Sequence, residues 1–148
     1  MVTNIRMKGR HQIASTNSSA ASNLVRIIVY LDRQCNGAAA GVTDLLETAS
    51  YLSFRNLANQ SRFKFLYDKT IPINVVASTI TSGDVVATQE INKFWKFNKK
   101  CRIPIEFDNS ATDGSITTIR SNNIGVMVIG ESANSSFQYE ARIRYTDL

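Results

Sequence analysis

The segment Ile91–Arg102 holds Lys93, Lys96, Lys99, Lys100 and Arg102, with no acid between Glu90 and Glu106. Phe94, Trp95 and Phe97 lie among them. A surface for single-stranded nucleic acid needs this mixture. Ammonium groups neutralise phosphates, and an aromatic face stacks a base for roughly 1–3 kcal/mol. The same pattern also fits a strand whose lysines face water while its aromatics fill a core. A second set, Arg6, Lys8 and Arg10, is spaced by two, so all three share one face of an extended strand. That row either attracts a polyanion, in a salt-dependent way, or blunts an edge strand against aggregation. The candidate nucleic-acid-binding residues are therefore Arg6, Lys8, Arg10, Lys93, Trp95, Lys96, Lys99 and Lys100.

Other chemistry has little to stand on. His11 is the single histidine, and no Ser or Cys motif surrounds it, so triads and His-metal sites lack their parts. Asp108 and Asp113 share one loop, but two loop carboxylates alone do not make a hydrolase site. Asp32, Asp44, Glu47, Asp108 and Asp113 offer oxygen ligands to a calcium ion between subunits, without any EF-hand spacing; solvated acids or intersubunit ion pairs are the plainer reading. Cys35 and Cys101 are read as free buried thiols. No catalytic residue, resident metal or cofactor is assigned. The Asn17, Asn59 and Asn134 tripeptides carry glycosylation signals only on paper, because no secretory h-region opens the chain.

The chain has 148 residues, 43% of them hydrophobic and 20% charged, which suits one domain, residues 1–148, with a full core. Lys and Arg number 17 against 12 Asp and Glu, a net charge of +5 that favours acidic partners through a local patch. No apolar run approaches the ~20 residues that span a bilayer, so no membrane role is expected.

Strand signals dominate the elements that must position these residues. Leu24–Leu31 (LVRIIVYL) has the dense β-branched composition of a strand buried on both faces. In Arg62–Tyr67, the alternation places Phe63, Phe65 and Tyr67 on one face, and Pro72 further on demands an edge or a bulge. Cys101, Ile103, Ile105 and Phe107 alternate against Lys100, Arg102 and Glu106. Ile116–Ile119 and Ile124–Ile129 read as strands. In Phe137–Tyr145, Phe137, Tyr139, Ala141, Ile143 and Tyr145 point inward, away from Gln138, Glu140, Arg142 and Arg144. Thr43–Ser50 predicts a short helix capped by Thr43. Polar loops are expected at Ser15–Asn23, Ser78–Gln89, Asp108–Ser115 and Glu131–Ser136, with a turn at Asn36-Gly37. About eight strands, long loops and no βαβ rhythm predict an all-β fold, a single eight-stranded antiparallel jelly-roll sandwich with one short helix. Its last strand is expected inside a sheet.

In order, the blocks VRIIVYLDRQCNG (Val25–Gly37), VTDLLE (Val42–Glu47), RFKFLYDKTIPIN (Arg62–Asn74), FWKFNKKCRIPIEF (Phe94–Phe107), IGVMVIGES (Ile124–Ser132) and ARIRYTDL (Ala141–Leu148) carry a family likeness. The chain resembles, from about Ile5 to Leu148, the capsid proteins of small circular single-stranded DNA viruses whose capsid is similar to that of satellite tobacco necrosis virus. The resemblance implies a homo-oligomer of about sixty copies closing into a small icosahedral shell. It also implies a single-stranded nucleic-acid genome inside, DNA rather than RNA, a virion location with possible passage through the host nucleus, and Arg6, Lys8 and Arg10 facing the interior. Such proteins usually begin with an arginine-rich arm, so that arm is expected to be absent or truncated here. Two other classes remain open from the residues alone. One is a monomeric single-strand-binding β-domain that uses Lys93–Arg102, with Trp95 quenched by oligonucleotide; the other is a lectin-like jelly roll, for which the loops lack aromatics.

Overall fold

The computed structural model describes residues 1–13, 22–74, 79–81, 84–86, 91–108, 115–131 and 135–146. Its long strands are β1 (Val2–Ile13), β2 (Ser22–Asp32), β3 (Phe63–Asn74), β6 (Ile91–Ile103), β9 (Asn123–Gly130) and β10 (Ser135–Tyr145). Two short ribbons are added by β4 (Thr79–Thr81) with β5 (Asp84–Val86), and by β7 (Glu106–Phe107) with β8 (Ile119–Ser121). The long strands form two antiparallel sheets, β10-β1-β6 and β3-β2-β9. First pairs with last, and second with next to last, which is how a jelly roll wraps a folded ribbon into a sandwich. The all-β expectation holds.

The alternation of β1, β2 and β6 builds the core between the sheets. Ile5 and Met7 meet Trp95, Phe97 and Ile103 from their own sheet, and Val25, Ile27, Val29, Leu31 and Ile71 from the other. The opposite face of β2 is buried as well: Ile28 and Tyr30 join Phe63, Leu45 and Leu46 in a second cluster. This double burial accounts for the dense apolar composition from Leu24 to Leu31, interrupted only by Arg26. Arg26, on that second face, holds the covering segment. Its Nε and Nη2 donate to Asp68 at 2.7 Å each, and its Nη1 donates to the carbonyls of Tyr51 and Ser53.

Several expectations are corrected. Phe63, Phe65 and Tyr67 do not share a face. A β-bulge opposite Val29 and Tyr30 inserts Leu66, so Phe63 and Phe65 pack in the outer cluster while Tyr67 turns into the inter-sheet core. One added residue flips everything beyond it. The helix is a single turn, α1 (Val42–Leu45), entered at Gly41, whose N–H donates to the Asp44 carboxylate at 2.8 Å. Leu46 is already extended and bridges to Arg55, so helix gives way to packing. Ile116–Thr118 forms a 3-10 turn before β8, and part of the polar stretch Ser78–Gln89 forms β4 and β5. Phe107 is half exposed, since Pro104 ends β6 at Ile103 and breaks the alternation. The last strand, β10, is an edge and not a central strand, and Tyr139, Ile143 and Tyr145 on its core-side face stay substantially exposed. Two expectations stand: β3, which carries Pro72, is an edge strand, and Gly37 turns with φ 79°. The loop expectations at Ser15–Asn23, Asp108–Ser115 and Glu131–Ser136 fall largely outside the described residues.

His11 is fully buried on the core side of β1, between Phe137 of β10 and Lys93 of β6 in register, and neither ring nitrogen has a hydrogen-bond partner among the described residues. Burial holds its imidazole below the ordinary value of 6.5. The unfolded chain therefore takes up a proton as pH falls through 6.5 while the folded chain does not. Stability is full above that pH and is lost progressively below it, down to the depressed folded value. Urea denaturation followed from neutral into mildly acid solution is expected to show this loss. His11→Leu, which cannot titrate, is expected to flatten it; an unchanged pH dependence in that variant would reject the assignment.

Candidate nucleic-acid interface

Strand β1 is the centre of its sheet, so its two faces are separated cleanly. Val2, Ile5, Met7 and His11 are buried, whereas Asn4, Arg6, Lys8 and Arg10 lie on the other side. Central position also removes the edge-strand reading of the arginine-lysine row, because β1 is hydrogen-bonded on both sides.

Pairing then extends the row into a field. Across the outer face, Asn4 stands between Arg144 and Lys100, Arg6 between Arg142 and Asn98, Lys8 between Glu140 and Lys96, and Arg10 between Gln138 and Phe94. Arg102 follows Lys100 on the same face of β6. Arg6 faces Arg142 directly, and Lys8 faces Lys96; directly opposed like charges are destabilising in a sheet. Glu140 is the one carboxylate in these rows, and it is committed to Lys8 at 2.8 Å, which draws its pKa below the usual carboxylate range. Arg10 Nη2 donates to Gln138 Oε1 at 2.9 Å and Asn4 Nδ2 to Asn98 Oδ1 at 3.1 Å. A trough of about 790 Å³ runs over this face between Arg6, Arg10, Phe94 and Gln138.

The eight residues chosen from sequence divide by strand parity. Arg6, Lys8, Arg10, Lys96 and Lys100 share the outer face. Lys93 and Lys99 have the parity of the core side; Lys93 is exposed and Lys99 half-buried. Trp95 is corrected outright. It is only 5% exposed, and its ring lies between Tyr67 and Phe137 at 6.0 and 5.7 Å between centroids. Both faces are occupied by side chains, so no base can stack there, and quenching of Trp95 by direct stacking is not expected. The aromatic on the outer face is its neighbour Phe94, 74% exposed. Sequence reasoning also left out Arg142 and Arg144. Their outward alternation was readable, but the register that lays them beside Arg6 and Asn4 was not.

Three of the five acids weighed for calcium have other occupations. Asp32 is tied to Arg62, Asp44 caps α1 and Asp108 pairs loosely with Arg120 at 3.7 Å; Asp113 lies outside the described residues. Among the described residues no group of three or more His, Cys, Asp or Glu gathers to hold a metal ion. Cys35 and Cys101 are free but half-buried instead of buried, and their partial desolvation pushes both thiols up.

No helix among the described residues is long and apolar enough to cross a membrane. No curated protein matches the chain. The sequence does match the family described as satellite tobacco necrosis virus coat protein, over residues 2–148. With that match spanning nearly the whole chain, and a jelly-roll sandwich beneath it, the chain belongs to the satellite tobacco necrosis virus coat protein family: it is a viral capsid protein.

Proposed function

We propose that this coat protein assembles into a closed icosahedral shell of about sixty copies around a single-stranded genome, with the outer face of β10-β1-β6 turned inward. The observation that carries the orientation is the direct opposition of Arg6 and Arg142, beside Lys96 and Lys100, on a face whose one carboxylate, Glu140, is already taken by Lys8. An isolated sheet gains nothing from opposed cations. A polyanion laid across them converts that repulsion into attraction and releases counterions.

Two further surfaces support assembly. Leu52, Phe54 and Leu57 are exposed together on the segment between α1 and β3, Phe54 at 80%. Tyr139, Ile143 and Tyr145 are exposed along the edge strand β10. Two different apolar patches suit head-to-tail contacts that close into rings. A monomeric nucleic-acid-binding domain would leave both in water.

Electron microscopy of the purified protein is the test, with closed particles expected. The charge-reversed variant Arg6→Glu/Lys96→Glu is expected to form particles depleted of nucleic acid, read from the ultraviolet absorbance ratio. A stable monomer at physiological salt overturns the shell; undiminished cargo in the variant overturns the orientation. The identity of the cargo rests on the sequence likeness to DNA-virus capsids, whereas satellite tobacco necrosis virus is an RNA satellite virus. We assign DNA, and digestion of the extracted cargo by DNase or RNase decides.

A further inference from the structure

We infer that Phe94 is a stacking platform for an unpaired nucleobase, which makes the basic face selective for single-stranded over duplex nucleic acid. The inference rests on that face meeting nucleic acid and adds the group that reads the strand state. Phe94 stands on the outer side of β6, directly opposite Arg10 and two residues from Lys96. It is 74% exposed, belongs to neither hydrophobic cluster, and has no aromatic or cation-π partner among the described residues. Its ring borders the trough of about 790 Å³, within the size range of small-ligand sites.

Chemistry fixes what such a ring can take. Every base has a π-face, so stacking on Phe94 is sequence-tolerant, but it requires a base that is not already stacked in a duplex. The guanidinium of Arg10 is oriented by Gln138 Oε1 at 2.9 Å, and Lys96 Nζ has no ion-pair or hydrogen-bond partner among the described residues; both flank Phe94 on the same face, where cations can meet the phosphates on either side of a stacked base. An exposed phenyl ring at the end of a cationic row, opposite Arg10 and on an outer strand of the sheet, packs in neither hydrophobic cluster.

Three ligands of one length separate the contributions: a single-stranded oligonucleotide, the same strand with abasic sugars throughout, and its duplex. Phe94→Ala is expected to weaken the base-bearing strand about five- to hundredfold. It should leave the abasic strand, the duplex and the salt dependence unchanged. Lys96→Ala is expected to weaken all three and to lower the salt slope. Phe94→Trp is expected to add emission that the base-bearing strand quenches and the abasic strand does not. Equal binding of base-bearing strand by Phe94→Ala and the parent overturns the stacking role while the basic face stands. Failure of the parent to bind any of the three overturns the basic face itself, and the inference with it. Loss of particles in Phe94→Ala with oligonucleotide affinity intact also overturns it, since the ring would then be a contact between copies.

Discussion

Asp32→Ala is expected to destabilise the subunit by about 3–5 kcal/mol, the cost of removing one partner from a buried ion pair. Asp32 ends β2 and is 2% exposed. It accepts from Arg62 Nε at 2.9 Å and Arg62 Nη2 at 2.8 Å, a two-pronged pair, and from the N–H of Gln34 at 3.1 Å. Arg62 also lies over the Phe63 ring at 4.7 Å and donates to Asn36 Oδ1. One carboxylate thus joins the end of β2, the turn at Asn36-Gly37 and the start of β3. Without it, a largely buried guanidinium keeps its charge and loses its partner, because arginine stays protonated at any pH the protein meets. Urea denaturation reads the loss. Asp32→Leu/Arg62→Met is expected to recover most of it, since two apolar side chains of similar size leave no orphaned charge. A single variant within about 0.5 kcal/mol of the parent would show that the pair contributes little.

Asp32 also marks the boundary of what the residues disclosed before folding. As a loop acid beside Arg33 it was a candidate for calcium or solvent; its partner is Arg62, far along the chain, and no local pattern announces such a pair. Local patterns fared well wherever one strand settled the matter. The apolar run of β2, the alternation of β1 and the positive φ of Gly37 all follow from side-chain period and turn chemistry. They failed wherever a second strand decides. The bulge at Leu66 reverses the face of Tyr67, and the edge position of β10 exposes residues with a core-like alternation. In β6, aromatics occur at both parities. Composition offered Trp95, the larger ring, as the base platform, but register sends Trp95 to the core and leaves Phe94 outside. The basic face itself was half legible, because Arg6, Lys8 and Arg10 announce their row while Arg142 and Arg144 join it only through pairing with Arg6 and Asn4, 136 and 140 residues away in sequence.

The sharpest division of labour in the molecule runs through β1, and Gly9→Val is expected to expose it, at a cost of about 3 kcal/mol or more. Gly9 is extended, so its backbone would accept any residue, and valine is a better strand former by up to ~1 kcal/mol. Propensity alone therefore predicts stabilisation. Space predicts the reverse. A Cβ at this position would run into the indole Nε1 of Trp95 and come within 2.7 Å of the Gln138 carbonyl oxygen. The carbonyl belongs to the sheet and cannot retreat, and the indole is held between Tyr67 and Phe137. The steric term wins because both obstacles are fixed. Trp95 is the single tryptophan, so its emission should shift to the red as its packing loosens, and the thermal midpoint should fall in step. The clash sits on the core side, so the folded fraction of Gly9→Val is expected to bind single-stranded nucleic acid with unchanged salt dependence. A variant as stable as the parent would mean that Trp95 does not lie across Gly9; a variant that stays folded and loses its salt dependence would mean that the two faces of β1 are not separate.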